Sequence, residues 1–396
     1  MTQKKKICIV VHSRANYGRI KSVMRAIDIH PELELQLLVG SSALLYRFGS
    51  VIDIIRGDGF KENAVVHSIL EGETPTTMAK STGMAITELA THFENLKPDI
   101  VVTVADRFET LSTAVAASYM NITLAHSQGG EVTGSIDESV RHAITKLAHI
   151  HFPATERAKE YLLRMGEQQE TVHLTGCPAI DLVAESDLAL PEDLFKRTTG
   201  VGDELTTKKD YIIVLQHPVT TEFGSGFKQI QETLEAAHEV SKTGMQIVWL
   251  WPNVDAGSDD ISKGIRMFRD REEAKNMHFY KNFTPEDYVL LLANARCIVG
   301  NSSSGLREGA FLGTPCVNIG TRQSGRERAA NVIDVKCDAN EIKTAIDNQL
   351  KHGRYESSHL VGDGTAGTQI ANILATSNLK IQKQISYVSE DSKTSE

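Results

Sequence analysis

The stretch that decides the fold is residues 299–308, which read Val299-Gly300-Asn301-Ser302-Ser303-Ser304-Gly305-Leu306-Arg307-Glu308. It follows the apolar run 297–299, which is typical of a buried strand, and the composition of residues 306–311 suits a helix. The first N–H groups of such a helix lack partners, and together with the helix dipole and the serine hydroxyls they favour an anion. The pattern therefore predicts a phosphate site where a strand passes into a helix.

Glu308 extends this prediction to a nucleotide. It lies three residues after Gly305 and roughly one helical turn along, where its carboxylate could accept hydrogen bonds from the vicinal hydroxyls of a ribose. An ordinary capped helix with a surface glutamate fits these ten residues equally well, because serine-rich helix starts are common. The rest of the chain has to decide between the two interpretations.

The composition restricts the class of protein. A chain of 396 residues, 41% of them hydrophobic, can bury a large core and is expected to form two domains. Its net charge of −9 argues against nucleic acid or an anionic membrane as a partner. Five cysteines without CxxC spacing suit reduced thiols in a cytoplasmic protein, and no metal or other cofactor is expected. The apolar run 7–11 is too short for a signal peptide or a membrane span.

Strand-like and helix-like segments alternate along the chain, which predicts an α/β fold with parallel sheets. A polar, weakly periodic stretch at residues 188–209 separates two such series. We therefore expect two Rossmann-like domains, at residues 1–185 and 186–379, followed by a disordered tail at 380–396. Strands are predicted at residues 7–11, 35–39, 100–104, 122–125, 172–175, 211–215, 246–251, 278–280, 297–299, 316–319 and 332–335.

Candidate residues follow the predicted strands, because ligands of open α/β sheets bind beyond the carboxyl ends of the strands. In the first half these are Asp106, which is either a helix cap or a cleft carboxylate, and Glu131, which follows two glycines. Asp137 and Arg141 are four residues apart, as in a surface ion pair of one helix. Arg14 precedes a helix start and is either a phosphate contact or a surface residue. Carboxylates gathered in one cleft raise one another's pKa values, which suits proton transfer.

The second half offers polar residues in equivalent positions. His217 ends a strand and is either a satisfied structural histidine or a donor to a diphosphate. Asn253 is expected in the cleft, with Ser258 available as a helix cap. Arg322 is a candidate phosphate ligand, whereas Arg326 could equally be solvated. If the two domains face each other, all of these residues border one cleft.

Several long motifs, taken in order, resemble the UDP-N-acetylglucosamine 2-epimerases. Within that family they resemble the hydrolysing branch, which makes N-acetylmannosamine for sialic acid synthesis. The resemblance covers roughly residues 5–375. Its motifs are RANY at 14–17, DRF at 106–108, GGE at 129–131, IDESVRHAITK at 136–146, QHPVTT at 216–221, PNVDAGS at 252–258, GNSSSG at 300–305 and GTRQ at 320–323.

This resemblance implies a GT-B-like pair of domains with the substrate in a central cleft. It also implies elimination of UDP to give a 2-acetamidoglucal, followed by addition of water with inversion at C2. Asp106, Glu131 and Asp137 would be the proton-transfer residues. The chain would form a homodimer or homotetramer. The implied substrate contacts are Arg14, Arg107, Arg141, His142, His217, Asn253, Ser258, Ser302, Ser303, Gly305, Glu308 and Arg322.

The sequence also departs from the family's pattern. Gln128 stands where several relatives carry a catalytic glutamate, and an amide cannot take up a proton at neutral pH. Gly18 replaces a residue with a hydroxyl group, which removes one phosphate contact. Lys263 and Arg266 occupy the positions of two arginines that bind a feedback inhibitor in the animal enzyme, so feedback inhibition of this chain is left open.

Four other functions fit parts of the pattern. The same chemistry could act on a 6-deoxy, di-N-acetylated UDP-sugar of legionaminic acid synthesis, or the enzyme could retain UDP on its product as a non-hydrolysing epimerase. A GT-B glycosyltransferase would use the same phosphate site, although the carboxylates of the first half argue against it. Gln128 also leaves room for a non-catalytic nucleotide-sugar sensor.

Overall fold

The computed structural model describes residues 4–271, 274–379 and 381–386. Its first sheet contains six parallel strands in the order β3-β2-β1-β4-β5-β6, which is the Rossmann order. These strands are β1 Lys5–Val11, β2 Leu33–Gly40, β3 Ala64–Val66, β4 Ile100–Val104, β5 Thr123–Ser127 and β6 Ile150–Phe152.

The second sheet repeats this order with one strand added. It contains seven strands in the order β13-β12-β11-β8-β9-β10-β7, and β7 pairs antiparallel with β10 at one edge. The two Rossmann-like sheets confirm the expected α/β class. The strands are β7 Gly200–Gly202, β8 Tyr211–Leu215, β9 Gln246–Leu250, β10 Met277–Tyr280, β11 Cys297–Gly300, β12 Cys316–Ile319 and β13 Val332–Val335.

Helices cover both faces of each sheet. In the first domain they are α1 Arg14–Gly18, α2 Lys21–Ile29, α3 Val51–Gly57, α4 Pro75–Leu96, α5 Phe108–Tyr119, α6 Asp137–Leu147, α7 Glu156–Arg164 and α8 Pro178–Glu185. The remaining helices are α9 Gly226–Ser241, α10 Ser258–Arg271, α11 Pro285–Asn294, α12 Ser303–Leu306, α13 Glu308–Leu312, α14 Ala339–His352 and α15 Ala366–Thr376. In the part of the chain that the structure describes, none of these helices has the length and apolar character needed to cross a bilayer.

The continuous apolar runs of the strands arise because each strand is buried on both faces. In β1, Ile7 and Ile9 pack into one hydrophobic cluster, whereas Cys8 and Val10 pack into the cluster on the opposite face. Parallel strands sandwiched between helices show this pattern instead of an alternation of apolar and polar residues.

The structure differs from the sequence-based expectations in several elements. The three-residue strands β3, β6 and β7 lie outside the predicted strands. Residues 172–175 do not form a strand of the sheet, because Val172 makes only an isolated bridge with His151. The helix expected after β11 is divided into α12 and α13, because Arg307 has φ −110° and ψ −82°, outside the helical region.

The end of the chain returns to the first domain. Helix α15, which the expected boundaries assign to the second domain, contributes Ile370 and Leu374 to the hydrophobic core of the first sheet. Residues 381–386 lie in the expected tail, yet the Lys383 ammonium donates to the carbonyl oxygen of Thr145 at 2.7 Å. The prediction of a disordered tail is therefore wrong for residues 381–386. The rest of the predicted tail lies outside the described residues.

The two sheets face each other across a cleft of about 1130 Å³, measured out to its open mouth. In each sheet the strand order reverses between two neighbouring strands, β1 and β4 in the first and β8 and β11 in the second. Ligands of such sheets bind at this reversal point. The loops that follow these four strands carry Arg14, Asp106, His217 and Ser302, and all four residues line the cleft.

Candidate active site

The serine-rich turn borders the cleft as an anion-binding site would. Ser302 is the N-cap of α12, where its hydroxyl accepts the N–H of Ser304 at 3.3 Å. Gly300 makes the turn possible, because it has φ +133° and an added Cβ would lie 2.0 Å from the carbonyl oxygen of Leu215. Ser302, Ser303 and Ser304 line the cleft, so hydroxyl donors and the helix N-terminus face the same space.

Gly305 has a different role from the substrate contact that was expected. It does not line the cleft, and an added Cβ would lie 2.5 Å from the sulfur of Cys316 on the neighbouring strand. Its lack of a side chain therefore lets α12 pack closely on the sheet.

Glu308 begins α13 and lines the cleft. Its buried Oε2 has no hydrogen-bond partner within the described residues, and burial raises the pKa of the carboxyl group. A buried acceptor without a partner requires a donor from outside the chain, such as a hydroxyl group. This position fits the predicted contact with a ribose.

His217 is held as a neutral donor. The N–H of Asn253 donates to its Nδ1 at 3.1 Å, which leaves the ring proton on Nε2. Burial, followed by the charges of Arg322 and Arg14, lowers the pKa of His217 well below its usual value. The side chain of Asn301 fixes the loop by bonding to both the N–H and the carbonyl of His217, at 2.7 and 2.8 Å.

Two arginines bring positive charge to the cleft. Arg14 reaches from the first domain to the second, where it donates to the carbonyl oxygen of Lys281 at 2.9 Å and to the side-chain oxygen of Asn253 at 3.3 Å. Arg322 donates to the carbonyl oxygen of Asn301 at 3.2 Å and lies 3.9 Å from the carboxylate of Asp137. Both residues lie where their sequence motifs placed them.

Two carboxylates of the first domain line the cleft and differ in proton affinity. Burial raises the pKa of Asp137 to about 6, and the negative charge of Asp106 adds to this effect. Although burial also opposes ionisation of Asp106, its ion pair with Arg141 holds the pKa of Asp106 well below its usual range. Asp137 can therefore exchange a proton near neutral pH while Asp106 stays ionised. Arg107 also borders the cleft and pairs with Asp255 at 2.6 Å.

The structure corrects the role expected for Glu131. This residue does not line the cleft, and its carboxylate pairs with Arg307 and, at 3.4 Å, with Arg326. Against the effect of burial, these arginines lower the pKa of Glu131 to about 2. A carboxylate held ionised by two arginines is a poor proton carrier, so we assign Glu131 to the contact between the domains.

Three expected substrate contacts also lie outside the cleft lining. Arg141 is fully buried and supports the site from behind, because it donates to Asp106 and, at 2.6 Å, to the carbonyl oxygen of Glu131. His142 lies 3.5 Å from Glu138 of its own helix. Ser258 begins α10, and its hydroxyl donates to a carboxylate of the first domain.

Gln128 is fully buried and does not line the cleft. Its amide donates to the sulfur of Cys177 at 3.3 Å, and its backbone has the left-handed φ of +65°. Ala105, directly before Asp106, has φ +63°. Backbone strain of this kind in non-glycine residues is concentrated at functional sites.

Sequence reasoning missed further residues of the cleft lining, among them Arg19 and Tyr288. Arg19 donates to the hydroxyl of Ser303, and the hydroxyl of Tyr288 lies 2.6 Å from that of Ser304. These two residues gave no local signal, because their partners lie in distant parts of the chain. Arg326, for which a solvated position was left open, is buried between the domains.

Comparisons with known proteins identify the family of the chain. The family model of the UDP-N-acetylglucosamine 2-epimerases matches residues 25–375. A Legionella pneumophila protein named UDP-N,N'-diacetylbacillosamine 2-epimerase (hydrolyzing) is 33% identical over 96% of this chain and 97% of its own. The polysialic acid biosynthesis protein P7 of Escherichia coli is 33% identical over 86% of this chain and 85% of its own.

A solved structure confirms the GT-B-like arrangement of the fold. The crystal structure of UDP-GlcNAc 2-epimerase from Neisseria meningitidis bound to UDP-GlcNAc has a TM-score of 0.77 and covers 94% of this chain and 100% of its own, at 19% identity. The chain belongs to the UDP-N-acetylglucosamine 2-epimerase family.

Proposed function

We propose that this enzyme is a hydrolysing 2-epimerase that converts UDP-N-acetylglucosamine and water into N-acetylmannosamine and UDP, for sialic acid synthesis. The observation that carries the proposal is the division of the cleft. One wall offers donors for a diphosphate. The other holds two carboxylates, Asp137 with a raised pKa and Asp106 with a lowered pKa. As its relatives are expected to do, the chain would act as a homodimer or homotetramer.

In this proposal the second domain holds the leaving group. The hydroxyls of Ser302 and Ser303 and the Nε2–H of His217 donate to the diphosphate, while Glu308 accepts from the ribose. When the C1–O bond breaks, its electron pair leaves with UDP, and neutral donors and arginines stabilise the charge that develops on the phosphate.

The first domain transfers the proton. Asp137, ionised above pH 6, takes the proton from C2, and the C2–H electron pair becomes the C1=C2 bond of a 2-acetamidoglucal. Water then adds across the double bond: its hydroxyl group joins C1 and a solvent-derived proton joins the opposite face of C2, which gives the manno configuration. Asp137 releases the proton that it removed to the solvent and is ionised again. Asp106 stays ionised beside Arg141 and maintains the field that raises the pKa of Asp137.

The decisive experiment is product identification by NMR after incubation with UDP-N-acetylglucosamine in deuterated water. We expect free UDP and N-acetylmannosamine that carries deuterium at C2. UDP-N-acetylmannosamine as the product would place the enzyme in the non-hydrolysing class, and absence of turnover would reject this substrate.

UDP-N,N'-diacetylbacillosamine is the second candidate substrate. The observation that favours it is the Legionella pneumophila relative of that name, which is 33% identical over 96% of this chain. The same elimination and hydration would apply, because both sugars carry an acetamido group at C2. Comparison of kcat/KM for the two UDP-sugars decides between them.

The pH profile of kcat/KM should show an acid limb near pH 6. Because the pKa of Asp137 in the folded protein is raised to about 6, the ionised base is lost below that pH and kcat/KM falls about tenfold per unit. Protonation of this group favours the folded state, since its pKa is higher there than in the unfolded chain. The buried histidines His12, His126 and His217 act in the opposite direction, because their lowered pKa values keep them neutral in the folded state while the unfolded chain binds protons below pH 6.5. Full recovery of kcat/KM on return to pH 7 therefore has to accompany the acid limb, so that loss of the ionised base is separated from unfolding.

Replacing Ser302 with alanine should weaken UDP binding about tenfold and change kcat little. The variant loses a hydroxyl donor and the cap of α12, both of which act on the leaving group and not on the C2 proton. Calorimetric titration with UDP measures the effect. Ser225→Ala is the matched control, because Ser225 also precedes a helix but is exposed and makes no side-chain cap bond. A fall in kcat at unchanged UDP affinity would contradict the assignment.

A further inference from the structure

One loop of the second domain contacts the first domain at three points. In loop 253–258, which follows β9, Asn253 accepts from Arg14 at 3.3 Å, and Asp255 pairs with Arg107 at 2.6 Å. These two contacts involve residues of the cleft lining. The third contact is made by Glu73, which does not line the cleft and has no part in the proposed chemistry.

Glu73 binds the end of this loop with both its backbone and its side chain. Its carbonyl oxygen accepts the N–H of Gly257 at 3.1 Å, and its Oε2 accepts the hydroxyl of Ser258. Its Oε1 pairs with Arg47 of its own domain at 2.6 Å. Since Ser258 is the first residue of α10, the carboxylate also lies at the positive end of that helix dipole.

The backbone around Glu73 is fixed in an unfavourable conformation. Glu73 has φ +47°, and its side chain is only 5% exposed. Thr74, the next residue, forms a capping box with Thr77 at the start of α4, and this box holds the turn in place. Glycine would occupy a left-handed position with less strain. A glutamate there indicates that the side chain has a function, and its side-chain partners outside its own domain are Ser258 and Asp259.

We propose that Glu73 is a positioning residue that holds loop 253–258 against the first domain and thereby places Asn253 in the cleft and Asp255 against Arg107. Because its contacts lie outside the cleft, a bound substrate does not have to displace them. Glu73 thus holds loop 253–258 against the first domain both before and after the substrate enters. The effect on kinetics rests on the proposed function, whereas the effect on the loop does not.

Hydrogen exchange followed by mass spectrometry tests the effect on the loop, without ligand, in the full-length chain. In Glu73→Ala we expect peptides that cover residues 253–258 to exchange about tenfold faster, since Ser258 loses its side-chain partner and the backbone bond from Gly257 to residue 73 is left to hold the end of the loop alone. Glu71→Ala is the matched control. Glu71 lies two residues away and faces the same Arg47 at 4.0 Å, but its side chain is 92% exposed. Equal exchange in the parent and Glu73→Ala would overturn the proposal.

Binding and kinetics test the consequence for the cleft. We expect Glu73→Ala to raise the apparent Kd for UDP and the KM about tenfold, with kcat and the melting temperature nearly unchanged. Glu73→Gln should recover part of the loss, because its amide oxygen can still accept from Ser258. In the double variant with Ser258→Ala the effects should be less than additive, since both substitutions remove the same hydrogen bond between Ser258 and Glu73. A lower kcat with unchanged KM would overturn the positioning role.

The two proposals fail in different ways. If UDP binds to neither the parent nor the variants, the proposed function fails, and the exchange rates of residues 253–258 still decide the role of Glu73. If UDP binds the parent and Glu73→Ala equally, the positioning role fails while the proposed function stands.

Discussion

Asp137→Asn is expected to lower kcat by about 10²–10⁴-fold, the range typical of removing a general base, while the Kd for UDP stays within about threefold. Asparagine keeps the size and one acceptor oxygen of the side chain but cannot take up the C2 proton. The diphosphate donors belong to the other wall of the cleft, so nucleotide binding should survive. UDP release at saturating substrate measures kcat, and calorimetric titration measures the Kd.

Glu138→Gln is the matched control for this substitution. Glu138 also lies in the first turn of α6, but it does not line the cleft, and it accepts the N–H of Thr133 at 2.9 Å, which a glutamine oxygen can also do. We expect near-parent kcat for this variant. A kcat for Asp137→Asn within threefold of the parent would show that the base lies elsewhere. Asp106 would then be the remaining first-domain carboxylate of the cleft lining to test.

The position of the site could be predicted from the sequence because it follows from sheet topology. Apolar runs located the strands, and polar residues directly after a strand necessarily lie at the carboxyl edge of its parallel sheet. Arg14, Asp106, His217 and Ser302 each follow a predicted strand, which was enough to make them candidates at the carboxyl edges of the sheets. The reversal points that bring these four residues together depend on the strand order. The order of the strands had to come from the structure.

Glu131 shows why the remaining assignments could not be predicted. It follows a strand like Asp106 does, but its partner Arg307 is 176 residues away in the sequence and belongs to the other domain. Whether a carboxylate carries a proton or serves as an ion pair depends on such distant charges. The same reasoning applies to Ser258, whose hydroxyl meets Glu73 at a separation of 185 residues.

Helix α15 illustrates the same limit for domain boundaries. Its buried residues Ile370 and Leu374 would suit either domain, because an amphipathic helix does not specify which sheet it covers. A single domain boundary in the sequence is therefore not enough, because the chain returns from the second domain to the first before α15.

Gly134→Ala is expected to lower kcat/KM about 100-fold, which corresponds to about 2.7 kcal/mol of transition-state stabilisation. Gly134 lies where the loop before α6 meets the second domain, and its N–H donates to the carbonyl oxygen of Arg322 at 3.1 Å. An added Cβ would lie 1.9 Å from the carbonyl oxygen of Thr321, so the domains could not approach as they do here. Asp137, three residues along, would then be held away from the diphosphate site.

The stability of the variant separates this effect from misfolding. The clash involves the facing domain and not the core of either sheet, so each domain should keep its fold, and the far-UV circular dichroism spectrum and a cooperative unfolding transition should be retained. Gly83→Ala is the matched control, because an added Cβ in the middle of α4 would meet no atom of another described element within 4 Å. This variant should stabilise the fold by about 0.5–1 kcal/mol with unchanged kcat/KM. If Gly134→Ala retained kcat/KM within threefold, close approach of the two loops would not be needed for catalysis, and Asp137 would reach its substrate in a more open cleft.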